Sequence, residues 1–319
     1  MSDMYLRPQR SNRGCLILVL VALAAAGAWG LWRWRNPRVA SEPEPEPFPE
    51  LQAPAETAAQ PQPAAKPAPP AARPATGTVA AARTSDEGLA LMAQARQLKS
   101  EDKLLESRDL AYRVLAQSSQ RVAQQAAEAL LGEINAELVL SPRMMPEKEE
   151  YVVQSGDSLD KLARRFKTTV DVIRKGNRIT GSTIRVGDRL RLFKGQFSIE
   201  VSKTRNDLLL KLNDRFFKRY PVGTGEYGKT PVGDFKITQK IAQPTWWRPD
   251  GKSFPYGHPE NVLGTHWLSL DIPGYGIHGT WQPETIGKQA SAGCIRMLNE
   301  SVEELFTLVP EGTPVRIAD

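Results

Sequence analysis

From Phe197 to Ala318 apolar and polar residues alternate with a period of two: "FSIEVSKT", "DLLLKLND", "RFFKRYPVG", "GDFKITQKI", "NVLGTHWLSLDI", "YGIHGTW" and "PVRIA". Glycine and proline stand between the runs. Alternation sends successive side chains to opposite faces of a strand, so 196–319 is predicted to be a mainly β domain, a β-sandwich or barrel-like fold. One helical stretch interrupts it, "NESVEELFTLVP", with Asn299 or Ser301 as its cap.

Upstream the period changes. Tyr151–Phe193 reads as strand, helix, helix, strand: "YVV", a turn "QSGDS", "LDKLARRF", "TVDVIRKGN" and a closing "RLRLF", a βααβ unit over 150–194. Over 85–140, apolar residues such as Leu89, Met92, Leu104, Leu105, Val114, Leu130 and Leu131 recur at spacings of three and four without proline. This predicts two or three short amphipathic helices, a hairpin-like region read as a spacer or dimerising module. Residues 40–84 hold 11 of the 25 prolines between Ser41 and Ala75, a composition that cannot bury a core and forms a disordered, extended linker.

Residues 1–39 contain the chain's longest uncharged run, Cys15 to Trp32, about 27 Å long as a helix and close to the roughly 30 Å of a bilayer core. Arginines flank it on both sides, and Trp29, Trp32 and Trp34 resemble an interfacial belt. It is read as a transmembrane anchor with a cytoplasmic tip. The rival is a signal cut near Ala26–Ala28, which would release a secreted protein. Either reading implies export, with the folded part outside the cytoplasm in the periplasm or cell wall.

Charge is local as well. The total of +6 divides into +5 for residues 1–39, −6 for 40–150, +7 for 151–194 and zero for 195–319. No nucleic-acid motif accompanies the basic segment, and nucleic acid is not an expected partner. Two cysteines, Cys15 and Cys294, make no disulfide framework.

The chemistry concentrates in the β domain, which holds all three histidines, His258, His266 and His278. They have neither an H-x-x-x-H spacing nor a close cysteine pair, so no metal and no cofactor is expected. A cysteine nucleophile needs a base brought near by the fold, and His278 in "IHGTW" is the best partner for Cys294 in "SAGCIRM". Gly279 and Gly293 allow close backbone approach, and the turn at Ser291–Cys294 is placed to aim N–H groups at an oxyanion. His258 and His266 are read as structural or surface residues. Trp246 and Trp247 in "QPTWWRPDG" have two readings, loop anchors or walls of a substrate groove.

Two resemblances sharpen this picture. Tyr151–Phe193, with Gly156, Asp157, Ser158 and Leu159 as G-D-S-L, Asn177, and the I-x-V-G-x-x-L close at Ile184–Leu190, resembles a LysM domain. That implies binding of N-acetylglucosamine-containing glycan strands such as peptidoglycan, with Gly156, Asp157 and Asn177 as candidate contacts. The G-D-S-L string also occurs around an esterase serine, but here Asp157 or Ser158 serves as a helix cap. "YGIHGTWQPETIGKQASAGCIRM", with "YPVGTGEYGKTPVGDFKI" before it, resembles the YkuD-type L,D-transpeptidase catalytic family over 197–319.

The second resemblance implies that Cys294 is the nucleophile and His278 its base. It also implies that the Gly279 carbonyl orients the imidazole, and that Ser291, Gly293 and Arg296 belong to the substrate-binding signature. Many members carry a second histidine where this chain has Ala292. The implied reaction is peptidoglycan L,D-transpeptidation: a cysteinyl thioester forms with a stem peptide, terminal D-alanine leaves, and an acceptor amine takes the acyl group. An L,D-carboxypeptidase or a catalytically degenerate peptidoglycan-binding scaffold are the alternatives. Carbapenem-type β-lactams are the expected inhibitors.

Overall fold

The computed structural model describes residues 77–248 and 250–319. The apolar run at Cys15–Trp32 and the linker up to residue 76 lie outside the described residues. No helix among the described residues is long and apolar enough to cross a membrane.

Three helices come first: α1 (Gly77–Ser100), α2 (Leu104–Gln117) and α3 (Arg121–Leu140). Helix α1 starts within the stretch assigned to the linker. The buried stripe of α3, Ala123, Ala127, Leu130, Leu131, Ile134 and Leu138, has the three-and-four spacing read from the sequence. The LysM unit follows as β1 (Lys148–Val152), α4 (Leu159–Phe166), α5 (Val170–Gly176) and β2 (Arg189–Phe193), with β1 and β2 antiparallel. Ser158 caps α4 through the Lys161 N–H, and Thr169 caps α5 through the Val172 N–H.

The β domain contains β3 (Phe197–Ser202), β4 (Asp207–Leu212), β5 (Arg215–Pro221), β6 (Thr224–Gly225), β7 (Gly233–Ala242), β8 (Trp246–Trp247) and β9 (Ser253–Phe254). Then come β10 (His266–Leu270), β11 (Gly276–His278), β12 (Gln289–Ser291), β13 (Ile295–Arg296), α6 (Asn299–Leu308) and β14 (Pro314–Ala318). Eight strands form one mixed sheet in the order β13-β11-β10-β7-β14-β3-β4-β5. This differs from a sandwich of two separate sheets. The sheet curls until its ends meet: Gly223, just after β5, exchanges two 2.8 Å backbone hydrogen bonds with Arg296 of β13. Beside that staple β6 runs parallel to β12. Closure removes most of the exposed edge, and it brings residues 223–230 to the Cys294 turn.

The helical region packs against this body. Tyr112 donates its hydroxyl to the Phe216 carbonyl at 2.7 Å and Asn135 its amide to the Phe217 carbonyl at 3.0 Å. These side chains satisfy backbone groups along β5. Arg219 forks onto Glu128 with both bonds at 2.9 Å, and the Arg215 guanidinium lies 4.0 Å from the Tyr112 ring centre. Leu131, Ile134 and Leu138 share one apolar core with Phe217, Leu210 and Ile199.

The LysM unit is docked too. Thr169 donates its hydroxyl to the Thr307 carbonyl of α6 at 2.6 Å, and Arg191 donates to the Pro142 carbonyl at 2.7 Å. Lys148 sits buried at the end of α3, donating to the carbonyls of Leu138, Ser141 and Arg143. Burial lowers its pKa to about 8.

Candidate active site

Strands β11 and β13 run parallel, with Ile277 opposite Ile295 and His278 opposite Arg296. Both isoleucines are fully buried, so strand alternation places His278, Arg296 and the adjoining Cys294 on the other side of the sheet. This register makes one site of residues sixteen positions apart.

His278 is buried, 3% exposed. Its Nδ1 lies 2.6 Å from the Gly279 carbonyl oxygen. That oxygen can only accept, so the proton resides on Nδ1 and Nε2 keeps the basic lone pair. Trp267, opposite His278 on β10, stacks on the imidazole at 5.6 Å between centroids. Burial, opposed by the Gly279 carbonyl, lowers the imidazole pKa to about 4. The Arg296 cation lowers it further, and the Leu263 carbonyl acts with Gly279.

Cys294 is half-buried and directs its thiol at the Gly274 carbonyl, 3.5 Å away. Burial pushes the thiol pKa up, while the Gly276 backbone and the Arg296 charge favour the thiolate. Arg296 therefore acts on both groups. Its guanidinium donates to the Gln282 side chain at 3.4 Å.

The turn before Cys294 is held from inside. The Ser291 hydroxyl donates to the Cys294 carbonyl at 2.6 Å and accepts the Gly293 N–H at 3.1 Å. Ser291 is thus a scaffold of the turn, and the Gly293 N–H is already engaged, which corrects the expectation that it faces an oxyanion. Gly293 has φ of +136°, and a Cβ there would lie 2.8 Å from the Tyr275 ring. Thr230, in the T-P-x-G-x-F element, donates to the Gly293 carbonyl at 2.9 Å and accepts the Gly225 N–H at 2.7 Å. Nothing local in Tyr220–Ile237 signals this role, because its partner lies 63 residues away. Ala292 is exposed and contributes no side-chain hydrogen bond.

Other candidates fall elsewhere. Trp246 packs on Phe254 in the small β8–β9 hairpin, and Trp247 is 74% exposed. His258 stacks on Phe254 and accepts the Glu260 N–H, while His266 stacks on Phe306. In the LysM unit, Gly156 has φ of +84° in the exposed turn. Asp157 accepts the Tyr151 hydroxyl and the Gln154 N–H, each at 2.8 Å. The Asn177 amide is fully engaged, donating to Ile173 and Arg191 carbonyls and accepting the Arg191 N–H. Asp157 and Asn177 therefore brace the unit through those side chains. The cap expected at Asn299 or Ser301 is absent: Leu298 precedes the helix, and the Asn299 side chain turns to the Thr265 N–H.

Residues 196–317 match the L,D-transpeptidase catalytic domain (YkuD), and residues 151–193 match the LysM domain. A putative L,D-transpeptidase YkuD from Bacillus subtilis is 34% identical over 174 residues, covering 52% of this chain and 97% of the relative. The probable L,D-transpeptidase YbiS of Escherichia coli is 36% identical over 113 residues, covering 31% and 37%. Among solved structures, the catalytic domain of an Enterococcus faecium L,D-transpeptidase is 27% identical at a TM-score of 0.33, covering 39% of this chain and 97% of that one. An L,D-transpeptidase from Mycobacterium smegmatis is 15% identical at a TM-score of 0.34, covering 42% of this chain and 65% of that one. With a relative matched along nearly its whole length, the chain belongs to the YkuD family of L,D-transpeptidases, with a LysM domain ahead of its catalytic domain.

Proposed function

We propose that Cys294 is the nucleophile of peptidoglycan L,D-transpeptidation and His278 its base. The observation that carries this is the parallel pairing of β11 with β13, which sets His278 opposite Arg296 and next to the strand that Cys294 opens, with the imidazole buried and its Nδ1 tied to the Gly279 carbonyl. In the first step the Cys294 sulfur attacks the carbonyl carbon on the L-centre before the terminal D-alanine of a tetrapeptide stem. The thiol proton passes to His278 Nε2 and from there to the departing D-alanine nitrogen. A thioester remains. An amine on a neighbouring stem then attacks it, His278 takes the amine proton, and the sulfur leaves to recover it. Arg296 supplies the positive charge that a stem carboxylate would meet. Trp246 and Trp247 fit this scheme only as outer walls of the groove.

The LysM unit binds glycan strands and holds the catalytic part on the wall. The apolar segment at Cys15–Trp32 anchors the chain in the membrane, with the folded part outside the cytoplasm and the proline-rich linker giving reach. Carbapenems acylate Cys294 as stem mimics. Incubating the full-length chain with purified sacculi and separating muropeptides tests the reaction. Wild type should release D-alanine and form new cross-links, and Cys294→Ala should do neither; equal products from both would refute the assignment. D-alanine release without cross-links would mark water as the acceptor and the enzyme as a carboxypeptidase.

A further inference from the structure

Asn299 opens α6 but spends its side chain away from the helix. Its Oδ1 accepts the Thr265 N–H at 3.2 Å, across 34 residues. The same oxygen is seated against the backbone of Gly264 and Gly279, where a Cβ built on either glycine would overlap it. Gly264 has φ of +64°, and the Gly279 N–H donates to the His266 carbonyl at 3.2 Å. The carboxamide thus bridges two segments, the loop 261–265 and the end of β11. The end of β11 carries the Gly279 carbonyl that accepts the His278 Nδ1–H. The far end of the loop is tied by Asn261, which donates to the Pro244 and Phe254 carbonyls and accepts the Leu263 N–H.

We infer that Asn299 is a positioning residue for the base: by clamping Thr265 against Gly279 it holds the Gly279 carbonyl on His278 Nδ1 and keeps Nε2 free for the thiol proton. This rests on the transpeptidase reading of Cys294 and His278. Loss of the clamp leaves the groove and the thiol in place. What it removes is the support for the imidazolium that forms as sulfur attacks.

The test compares wild type, Asn299→Leu and Asn299→Asp in the full-length chain. Leucine removes the acceptor, and aspartate keeps an oxygen for the Thr265 N–H. The maximal rate of Cys294 acylation by imipenem should fall about 10- to 100-fold in Asn299→Leu. Its half-saturating concentration should hold, and aspartate should restore most of the rate. In proton NMR, the His278 Nδ1–H should give a protected downfield signal in wild type and Asn299→Asp, and lose it in Asn299→Leu. A folded Asn299→Leu with wild-type rate and signal would overturn the inference, as would equal losses in leucine and aspartate variants that melt like wild type. Should leucine unfold the chain, Asn299→Ser replaces it with the same expected losses. A wild type that takes up no imipenem would count against the transpeptidase reading, and the substrate-free NMR signal would still decide for or against Asn299.

Discussion

Alkylation of Cys294 by iodoacetamide should climb with pH and show no plateau between pH 5 and 8. Burial sets His278 at about 4 and lifts Cys294 above its ordinary 9.0. The His278 shift alone, from 6.5 to about 4, makes the imidazolium about 3 kcal/mol harder to form, and the raised thiol adds to that. An ordinary thiol and imidazole already favour the neutral pair, and this shift deepens that preference by about 100-fold. Cys294 therefore waits as a thiol beside a neutral imidazole. Rates would be followed by mass spectrometry of the Cys294 peptide, because the chain has a second cysteine, Cys15. The rate should rise about tenfold per pH unit from pH 6 to 9, and His278→Gln should follow nearly the same curve. A plateau from pH 5 to 8 that vanishes in His278→Gln would show a standing thiolate–imidazolium pair and refute the reasoning.

The same burial predicts a stability signature, because the unfolded chain binds a proton at His278 near pH 6.5 and the folded chain only near pH 4. Folding stability from this group is complete above pH 6.5 and falls as pH drops toward 4; denaturant titrations at pH 7.5 and 4 should show wild type losing about 3 kcal/mol more than His278→Gln. At the helical docking surface, Asn135→Ala leaves the buried Phe217 carbonyl without its amide partner, which should cost about 1–3 kcal/mol in the same measurement. Asn135→Ala should acylate with imipenem at the wild-type rate, since Asn135 touches β5 and not the site.

What the sequence showed follows from range. Strand alternation through Phe197–Ser202 and Asp207–Leu212 is a property of neighbours, and the burial patterns repeat it. The caps at Ser158 and Thr169 are equally local. Cys294 and His278 stood out because each lies in a short motif. Asn299 looked like a helix cap because asparagine before an apolar run usually is one; its true partner is 34 residues away and depends on the curl of the sheet. Thr230 holds the Gly293 carbonyl across 63 residues for the same reason. Tyr112 and Asn135 carry no local sign that their polar atoms meet β5. Their helix pattern was legible, and the identity of the covered surface was not.

The choice of a carbonyl to orient His278 bears on how the site is switched on. A carboxylate in that place would hold the imidazole and also stabilise its protonated form, raising its pKa. The Gly279 carbonyl aligns the ring with only a partial charge, so burial prevails and the thiol stays protonated. Oxidants attack the thiolate, so a resting thiol is the durable form of this cysteine. Arg296 completes the logic. Its cation favours thiolate at Cys294 but opposes imidazolium at His278, and the two effects compete. A stem carboxylate bound at Arg296 would neutralise that cation and remove its opposition to the imidazolium. The base would then strengthen when a substrate carbonyl is within reach of the sulfur, coupling proton transfer to attack.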